Sequence, residues 1–540
     1  MKKSNIIRYA TAGIIAFALN FSFSSCDDEV LDLLPANSVA YTDAFSTPKL
    51  CELSMVGCYD AAQSGYYPGN DQRRGYPFGA ASIQQGDMRG EDMLNVQAFF
   101  AVTYGSTYGS SSPNGQAMWE CTYQMINKIN ICIEGFKLAA SKNVITAEKA
   151  KEYEGEARFL RALGFHELLL HFAYPYAHTP DASHFGIPVS TKPINSIATV
   201  EEAKSAGRAT VAQTYKQILE DLDFAEANLP ATRTGGLKIS RATSGAAIGL
   251  KTRIYQHMGQ WDKVMTESQK IVDATFKSPI GSYALTAEPS GPFTNNSGNS
   301  ESMFSIENSE LDNCTVNGSL SQFYTYVRSL VCLSPILYNA DFWLATDKRR
   351  TQLVVYNTSY TARHAYWVDK YKTYAKMADW TPILRYAEIL LNYAEAEART
   401  NGVTQKAVDL LNQVRNRAVT ETANRFTLAS FATTKDLMTA ILNERRIEFA
   451  GEGRRWADIH RLAKDPNYFV KTLNGAPGVP AKVNTTNVAA NSWNAASGVV
   501  PPSIITIAAY GYDDRRFLFP IPDSETNTNE KLKSQQNPGW

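Results

Sequence analysis

The chain has 540 residues with 53 basic and 53 acidic side chains, 44% hydrophobic content, and 28 Tyr, 24 Phe and 8 Trp. Such globular composition excludes a disordered, collagen-like or polytopic membrane chain. Zero formal charge without a long Lys/Arg run removes the electrostatic footprint of a nucleic-acid binder, so no nucleic-acid partner is expected.

Residues 1–25 read as a lipoprotein signal peptide. Lys2, Lys3 and Arg8 form a basic start, and Ala10 to Phe23 is largely apolar. A run of about 14 residues is too short to span a bilayer comfortably but suits a signal-peptide core. Ser24 and Ser25 then precede Cys26 in the manner of a lipobox, with Phe23 where an aliphatic residue is usual. Cys26 is the expected lipidation site. Two or three acyl chains there would anchor the protein firmly, since each buried methylene is worth about 0.8 kcal/mol. Cleavage leaves 50 basic against 53 acidic residues, a charge of −3.

Six cysteines remain: Cys51, Cys58, Cys121, Cys132, Cys314 and Cys332. Export permits disulfides. Cys51 and Cys58, like Cys121 and Cys132, share a predicted helix at separations of about 10 and 16 Å, too far to bridge. Any disulfide therefore joins different segments. No CxxC or Cys/His spacing points to zinc.

In chain order, apolar residues at three- and four-residue steps predict helices over Met118 to Ala140, Thr146 to Tyr174 and Gly207 to Asn228. Thr146 is the expected N-cap of the second, and Pro175 stops it. Two helix pairs follow. Ala242 to His257 and Asp262 to Ala274 flank Gly259-Gln260, while Ile383 to Thr400 and Gln405 to Arg417 flank Asn401-Gly402. Helix, tight turn, helix over about 33 to 36 residues is the shape of a tetratricopeptide (TPR) unit, although its strict consensus is absent. One more long helix is predicted over Lys435 to Leu462. Between the helices lie insertions at about 66–113, 277–380 and 465–510, with short strands expected at MFSI, TQLVVY and AYWVDKY. The expected fold class is mainly α, with TPR-like helix pairs forming a scaffold under a loop and short-strand binding layer. No low-complexity linker divides residues 26–540, which read as a single domain.

Several motifs carry charge. Glu154/Arg158, Arg445/Glu448 and Glu452/Arg455 stand at helical pair spacing and are expected to hold the fold, with an Arg plane covering Trp456. His166 and His171 flank a Glu in HELLLH, but their spacing of five turns the second ring about 140° from the first, unlike a zincin. His171, His178 and His184 lie in or near one loop and could approach a metal, but they read as solvated loop histidines. Asp87, Arg89, Glu91 and Asp92 lack the spacing of a calcium loop. No GxSxG, P-loop or dinucleotide fingerprint occurs. No catalytic residue, metal or cofactor is therefore expected.

The remaining chemistry is aromatic. Tyr66, Tyr67, Tyr76, Tyr104 and Tyr108 cluster with Arg73 and Arg74 in the first insertion, and Phe323, Tyr324 and Tyr326 in the second. Ring faces stack on the C–H faces of sugars while Arg and Asn bond vicinal hydroxyls. These ten residues are the expected ligand contacts.

The blocks EGEARFLRALGFHELL (Glu154 to Leu169), LRYAEILLNYAEAEAR (Leu384 to Arg399), ERRIEFAGEGRRWADIHRL (Glu444 to Leu462) and the ending FPIPDSE to QQNPGW (Phe519 to Trp540) resemble the SusD/RagB family of outer-membrane lipoproteins. GDMRGEDM (Gly86 to Met93) and ESMFSIE (Glu301 to Glu307) are weaker marks. The resemblance implies a surface-exposed, non-catalytic lipoprotein of the outer membrane. It would bind an oligosaccharide or polysaccharide and deliver it to a SusC-like TonB-dependent transporter. The acidic residues after Cys26 look like the surface-export signal of such lipoproteins. The alternatives are a RagB-type peptide-binding lid, a secreted glycan-active enzyme, and a TPR-like assembly scaffold without a small ligand.

Overall fold

The computed structural model describes residues 43–67, 69, 72–357, 365–472, 474–485 and 488–540. The signal peptide and Cys26 lie outside the described residues. Twelve helices of eight or more residues are described: α1 (Pro48–Gln63), α2 (Ala81–Arg89), α3 (Pro113–Ser141), α4 (Ala147–Phe172), α5 (Ile197–Ser205), α6 (Val211–Asn228), α7 (Ser244–His257), α8 (Trp261–Ile271), α9 (Tyr386–Asn401), α10 (Gln405–Arg415), α11 (Thr434–Glu448) and α12 (Arg454–Leu462). Short antiparallel ladders join β1 (Gly65–Tyr66) to β2 (Arg73–Tyr76), β3 (Met93–Asn95) to β5 (Val331–Leu333), and β4 (Ser302–Ile306) to β8 (Thr381–Arg385). Two more pair β6 (Val354–Asn357) with β7 (Ala365–Val368), and β9 (Gly478–Val479) with β10 (Tyr510–Gly511).

The helices form a serial array. α3 packs on α4, α4 on α6, α6 on α7, α7 on α8, α8 on α9, and α9 on α10 and α11. Each helix thus buries its apolar face against sequence neighbours, as in a helical solenoid. Local signals set the ends. Thr146 accepts the Lys149 N–H at 3.1 Å, and Thr210 and Thr433 make reciprocal capping boxes. Gly402 ends α9 at φ +78°, a conformation that only glycine adopts without strain.

Two expectations are corrected. The predicted helix from Lys435 to Leu462 is broken, because Gly451 and Gly453 take positive φ and turn the chain between α11 and α12. Ile383 to Arg385 belong to β8 rather than to the start of α9. The three expected strands are present as β4, β6 and β7. The six cysteines are free and buried, with no disulfide among the described residues.

Three apolar cores result. The largest runs through the helix array. A second lies beneath the insertions and is built from Phe100, Tyr104, Phe323, Tyr324, Trp343 and Trp367, among others. A third gathers around Trp456 and Phe517.

A buried network of ions ties β8 to the last helices. Arg385 donates to Glu301 at 2.5 Å, Glu448 at 2.9 Å and Glu452 at 2.8 Å. Arg349 donates to Glu444 at 2.6 Å and Asp347 at 2.7 Å, while Arg417 donates to Glu301 at 2.5 Å and Glu448 at 2.6 Å. Lys370 donates to Glu452 at 2.6 Å. The expected Glu154/Arg158 pair forms at 2.6 Å. The other two i,i+3 pairs are replaced by longer-range ones: Arg445 bonds Asp458 at 3.0 Å and Arg455 bonds Glu91 at 2.5 Å. Arg89 covers the Trp456 ring at 3.5 Å, so the expected Arg plane comes from α2.

Candidate functional site

The β1–β2 hairpin follows α1 directly and sets Tyr66 opposite Arg73. Tyr66 is 38% exposed. Tyr67 is half-buried: its hydroxyl accepts from Asn114 at 3.0 Å and the Arg74 guanidinium lies 5.1 Å from its ring centre. Burial pushes the Tyr67 hydroxyl pKa up, so it remains a hydrogen-bond donor. Arg74 Nε and Nη1 are buried without a hydrogen-bond partner.

Arg73 reaches away from the hairpin. It donates to Asp312 at 2.5 Å and to the Asn313 carbonyl at 3.4 Å, and approaches Asp60 on α1 at 3.7 Å. Asp60 and Asp312 line a cleft of about 290 Å³ between α1, residues 237–241 and the segment after β4. Val56, Gln63, Leu237 and Ser309 also face it. At its base Tyr59 donates to Glu156 at 2.7 Å, and Arg241 grips the same carboxylate at 2.5 Å. This buried triad fixes the floor, while Asp312 and the neighbouring Leu311 and Val316 stand exposed at the rim.

The segment 307–318 separates the two sequence-predicted aromatic groups. Arg73 holds it from the hairpin side, and Arg328 donates to the Val316 carbonyl and, at 3.2 Å, to Asn317 from the other. Beyond Arg328 lie Phe99 and Phe323, edge to face at 5.6 Å, with Tyr326 half-buried nearby in sequence.

The structure therefore divides the ten predicted contacts. Tyr66, Tyr67, Arg73 and Arg74 share the hairpin beside the cleft, and Tyr326 is partly open. The other five are buried and packed beneath the surface layer. Tyr76 bonds Asn114 at 3.1 Å, Tyr324 donates to Asp87 at 2.6 Å, and Phe323 is 1% exposed. Tyr104 donates to the Val483 carbonyl at 2.8 Å, and Tyr108 donates to the Arg516 carbonyl while its ring meets Phe519 at 4.7 Å. These two tie down the 465–510 insertion and the segment after it. The physical reason is that the long insertions need a core of their own, and their aromatics supply it. The cleft residues Asp60, Gln63, Ser309 and Asp312 were missed. The polar run SELDNC (Ser309 to Cys314) was the available signal for part of them.

Other charged motifs are structural. Glu91 is held to about pKa 2 by Arg455 and Arg446 against the effect of burial. Asp87 is pushed up to about 7 by burial, partly offset by bonds from Tyr324 and the Gly453 N–H. The expectation of solvated loop histidines is corrected for His171, which lies buried in the last turn of α4 between Arg89 and Glu167. His178 stacks on Tyr174 at 4.3 Å and bonds the Tyr512 hydroxyl at 2.8 Å. Among the described residues no group of three or more His, Cys, Asp or Glu is placed to hold a metal ion.

Two family models match the chain: one described as "SusD family" over residues 339–540, and one as "Starch-binding associating with outer membrane" over residues 61–256. Two relatives from Formosa agariphila are similar. SusD-like protein P2 is 25% identical over 66% of this chain and 73% of its own length. SusD-like protein P38 is 22% identical over 82% of this chain and 89% of its own. A SusD superfamily protein from Bacteroides fragilis superposes with a TM-score of 0.72 and 26% identity, covering 91% of this chain and 100% of that one. A SusD-like carbohydrate binding protein from Bacteroides vulgatus gives 0.69 at 20% identity, covering 91% and 98%. Surface glycan-binding protein A from Bacteroides uniformis gives 0.65 at 19%, covering 91% and 99%. At these last two identities the likeness is one of fold.

Proposed function

Since this chain belongs to the SusD-like family, we propose that it is a non-catalytic outer-membrane lipoprotein that captures a glycan and passes it to a SusC-like TonB-dependent transporter. Lipidation at Cys26 anchors it with the binding layer facing the exterior, and residues 26–540 act as one domain. The observation that carries this reading is the open cleft at Asp60 and Asp312, flanked by the exposed Tyr66 ring and bridged by Arg73. Tyr66 supplies a stacking face, and the guanidinium and two carboxylates supply donors and acceptors for vicinal hydroxyls. Tyr67, Arg74 and Tyr326 extend the surface on either side. Capture followed by release requires modest affinity, which a shallow, rim-exposed site provides.

Affinity gels and calorimetry with a panel of polysaccharides test the binding. Retention should fall at least tenfold in Tyr66→Ala and Arg73→Ala, while both variants keep the parent melting temperature. Retention of peptides but of no polysaccharide would instead select the RagB-type lid. Oligosaccharide shortening over time, absent from protein-free controls, would select the enzyme. Cys26→Ala should release the chain from membrane fractions.

A further inference from the structure

A second cleft, of about 340 Å³, lies on the opposite side of α3 from the hairpin. Cys121 points its sulfur at the Tyr66 carbonyl, 3.2 Å away, whereas Trp119 and Tyr123, two residues to either side, face this cleft. That spacing places them about 200° around the helix from Cys121. The other walls are residues 188–194, α5 and Glu525.

The walls are rigid. Tyr123 donates to the Pro188 carbonyl at 2.8 Å, and Asn130 donates to the Ser190 and Lys192 carbonyls at 3.1 Å each. Asn127 closes a two-way bond with the Ile194 backbone at 2.7 and 3.0 Å. Pro188 and Pro193 stiffen the segment further. A cavity of this volume with fixed walls suits a small molecule of one or two rings.

The charge in the cleft is unbalanced. Glu525, half-buried, lines the cleft together with Trp119, and the like-charged Glu120 lies near it. Burial raises its pKa. At the mouth Lys192 and Glu202 face each other at 3.8 Å and offset one another. Lys531 packs its chain against Gly207 in the cleft wall, yet among the described residues no ion pair reaches Glu525. A carboxylate so placed, next to a partly open tyrosine ring, suits a cation carried on a compact body. A peptide strand is disfavoured, because the carbonyls of Pro188, Ser190, Lys192 and Ile194 that it would pair with are already taken by α3 side chains.

We propose that this cleft is a second ligand site, taking an amino sugar whose protonated amine meets Glu525 and whose ring lies along Tyr123. It is separate from the hairpin face and stands whatever ligand that face binds.

Calorimetry on the chain from residue 27 onward, with glucosamine, glucose, N-acetylglucosamine and lysine amide as probes, tests it. Glucosamine should bind at least tenfold more tightly than glucose or N-acetylglucosamine, whose body is alike but uncharged. Glu525→Gln should erase that preference without a change in melting temperature. Should Glu525→Gln disturb folding, Ala203→Trp, which fills the cleft from α5, must abolish glucosamine binding instead. Equal binding of glucosamine and glucose overturns the proposal. So does tighter binding of lysine amide than of glucosamine, or a preference that survives in folded Glu525→Gln and Ala203→Trp proteins.

Discussion

Two buried groups near α2 carry opposite pH dependences. Asp87 has its pKa raised from 3.8 to about 7 by burial. Between those values the folded chain holds a proton that the unfolded chain lacks, so its contribution is full below pH 3.8 and lost as pH rises through 7. Lys482 donates to the Met88 and Tyr104 carbonyls at 2.7 and 3.0 Å, and burial lowers its pKa from 10.5 to about 7. Here the unfolded chain holds the extra proton, so stability gained from this group grows from pH 7 towards 10.5. In urea unfolding at stepped pH, Asp87→Asn should flatten the fall between pH 4 and 7. Lys482→Met should flatten the rise above pH 7. A parent-like profile in either variant would contradict the assignment. Arg385 serves three carboxylates at once, and Arg385→Met leaves Glu301, Glu448 and Glu452 short of a partner. Loss of one member of a buried ionic set costs about 3–5 kcal/mol, and the unfolding free energy from urea titration should fall by that order.

At the scale of elements, α2 crosses the start of α12 with backbone against backbone. A Cβ on Gly86 would lie 2.1 Å from the Gly453 carbonyl oxygen, and one on Gly453 would lie 2.7 Å from Ile83 Cα. Gly259, in the turn between α7 and α8, has φ +68° but open space around it. Gly259→Ala should therefore cost only the backbone strain, about 1–2 kcal/mol, whereas Gly86→Ala and Gly453→Ala should cost clearly more in the same denaturation assay. The helix array was legible because its signals are local: the Thr146 cap and the Gly259 and Gly402 turns are read within a few residues. The break between α11 and α12 was not, since apolar and charged residues continue at helical spacing across Gly451 and Gly453. Strand partners such as β3 and β5 are more than 200 residues apart, and three-residue ladders leave almost no periodic pattern. A separation of 364 residues hid Glu91, the partner of Arg455, whereas the unread turn at Gly451 and Gly453 hid Asp458, the partner of Arg445. Tyr104 and Tyr66 are alike as sequence, a tyrosine in a Gly-rich stretch, yet one anchors Val483 and the other faces solvent.

For the whole molecule, acid should be the decisive stress. Glu388 and Glu395 are held to about pKa 2, by Arg253 with Arg454 and by Arg461 with Arg399 respectively, and Glu91 is depressed to a similar value. Depressed carboxylates contribute stability above the unfolded value of 4.5 that is lost as pH falls towards 2. Thermal melts should show the transition temperature dropping steeply over that window, and more steeply than salt alone produces. Because these charges are buried, 0.5 M NaCl should change the melting temperature little at neutral pH.

The ionic network around Arg385 and Arg349 is closed within the scaffold, while residues 309–313 are held from outside by Arg73 and by the exposed Lys376–Glu310 pair at 3.2 Å. That separation makes the strip an interchangeable cartridge. New sequences of equal length could be installed there to retune what the outer face selects, as loops are swapped on an antibody frame, without renegotiating the foundations below.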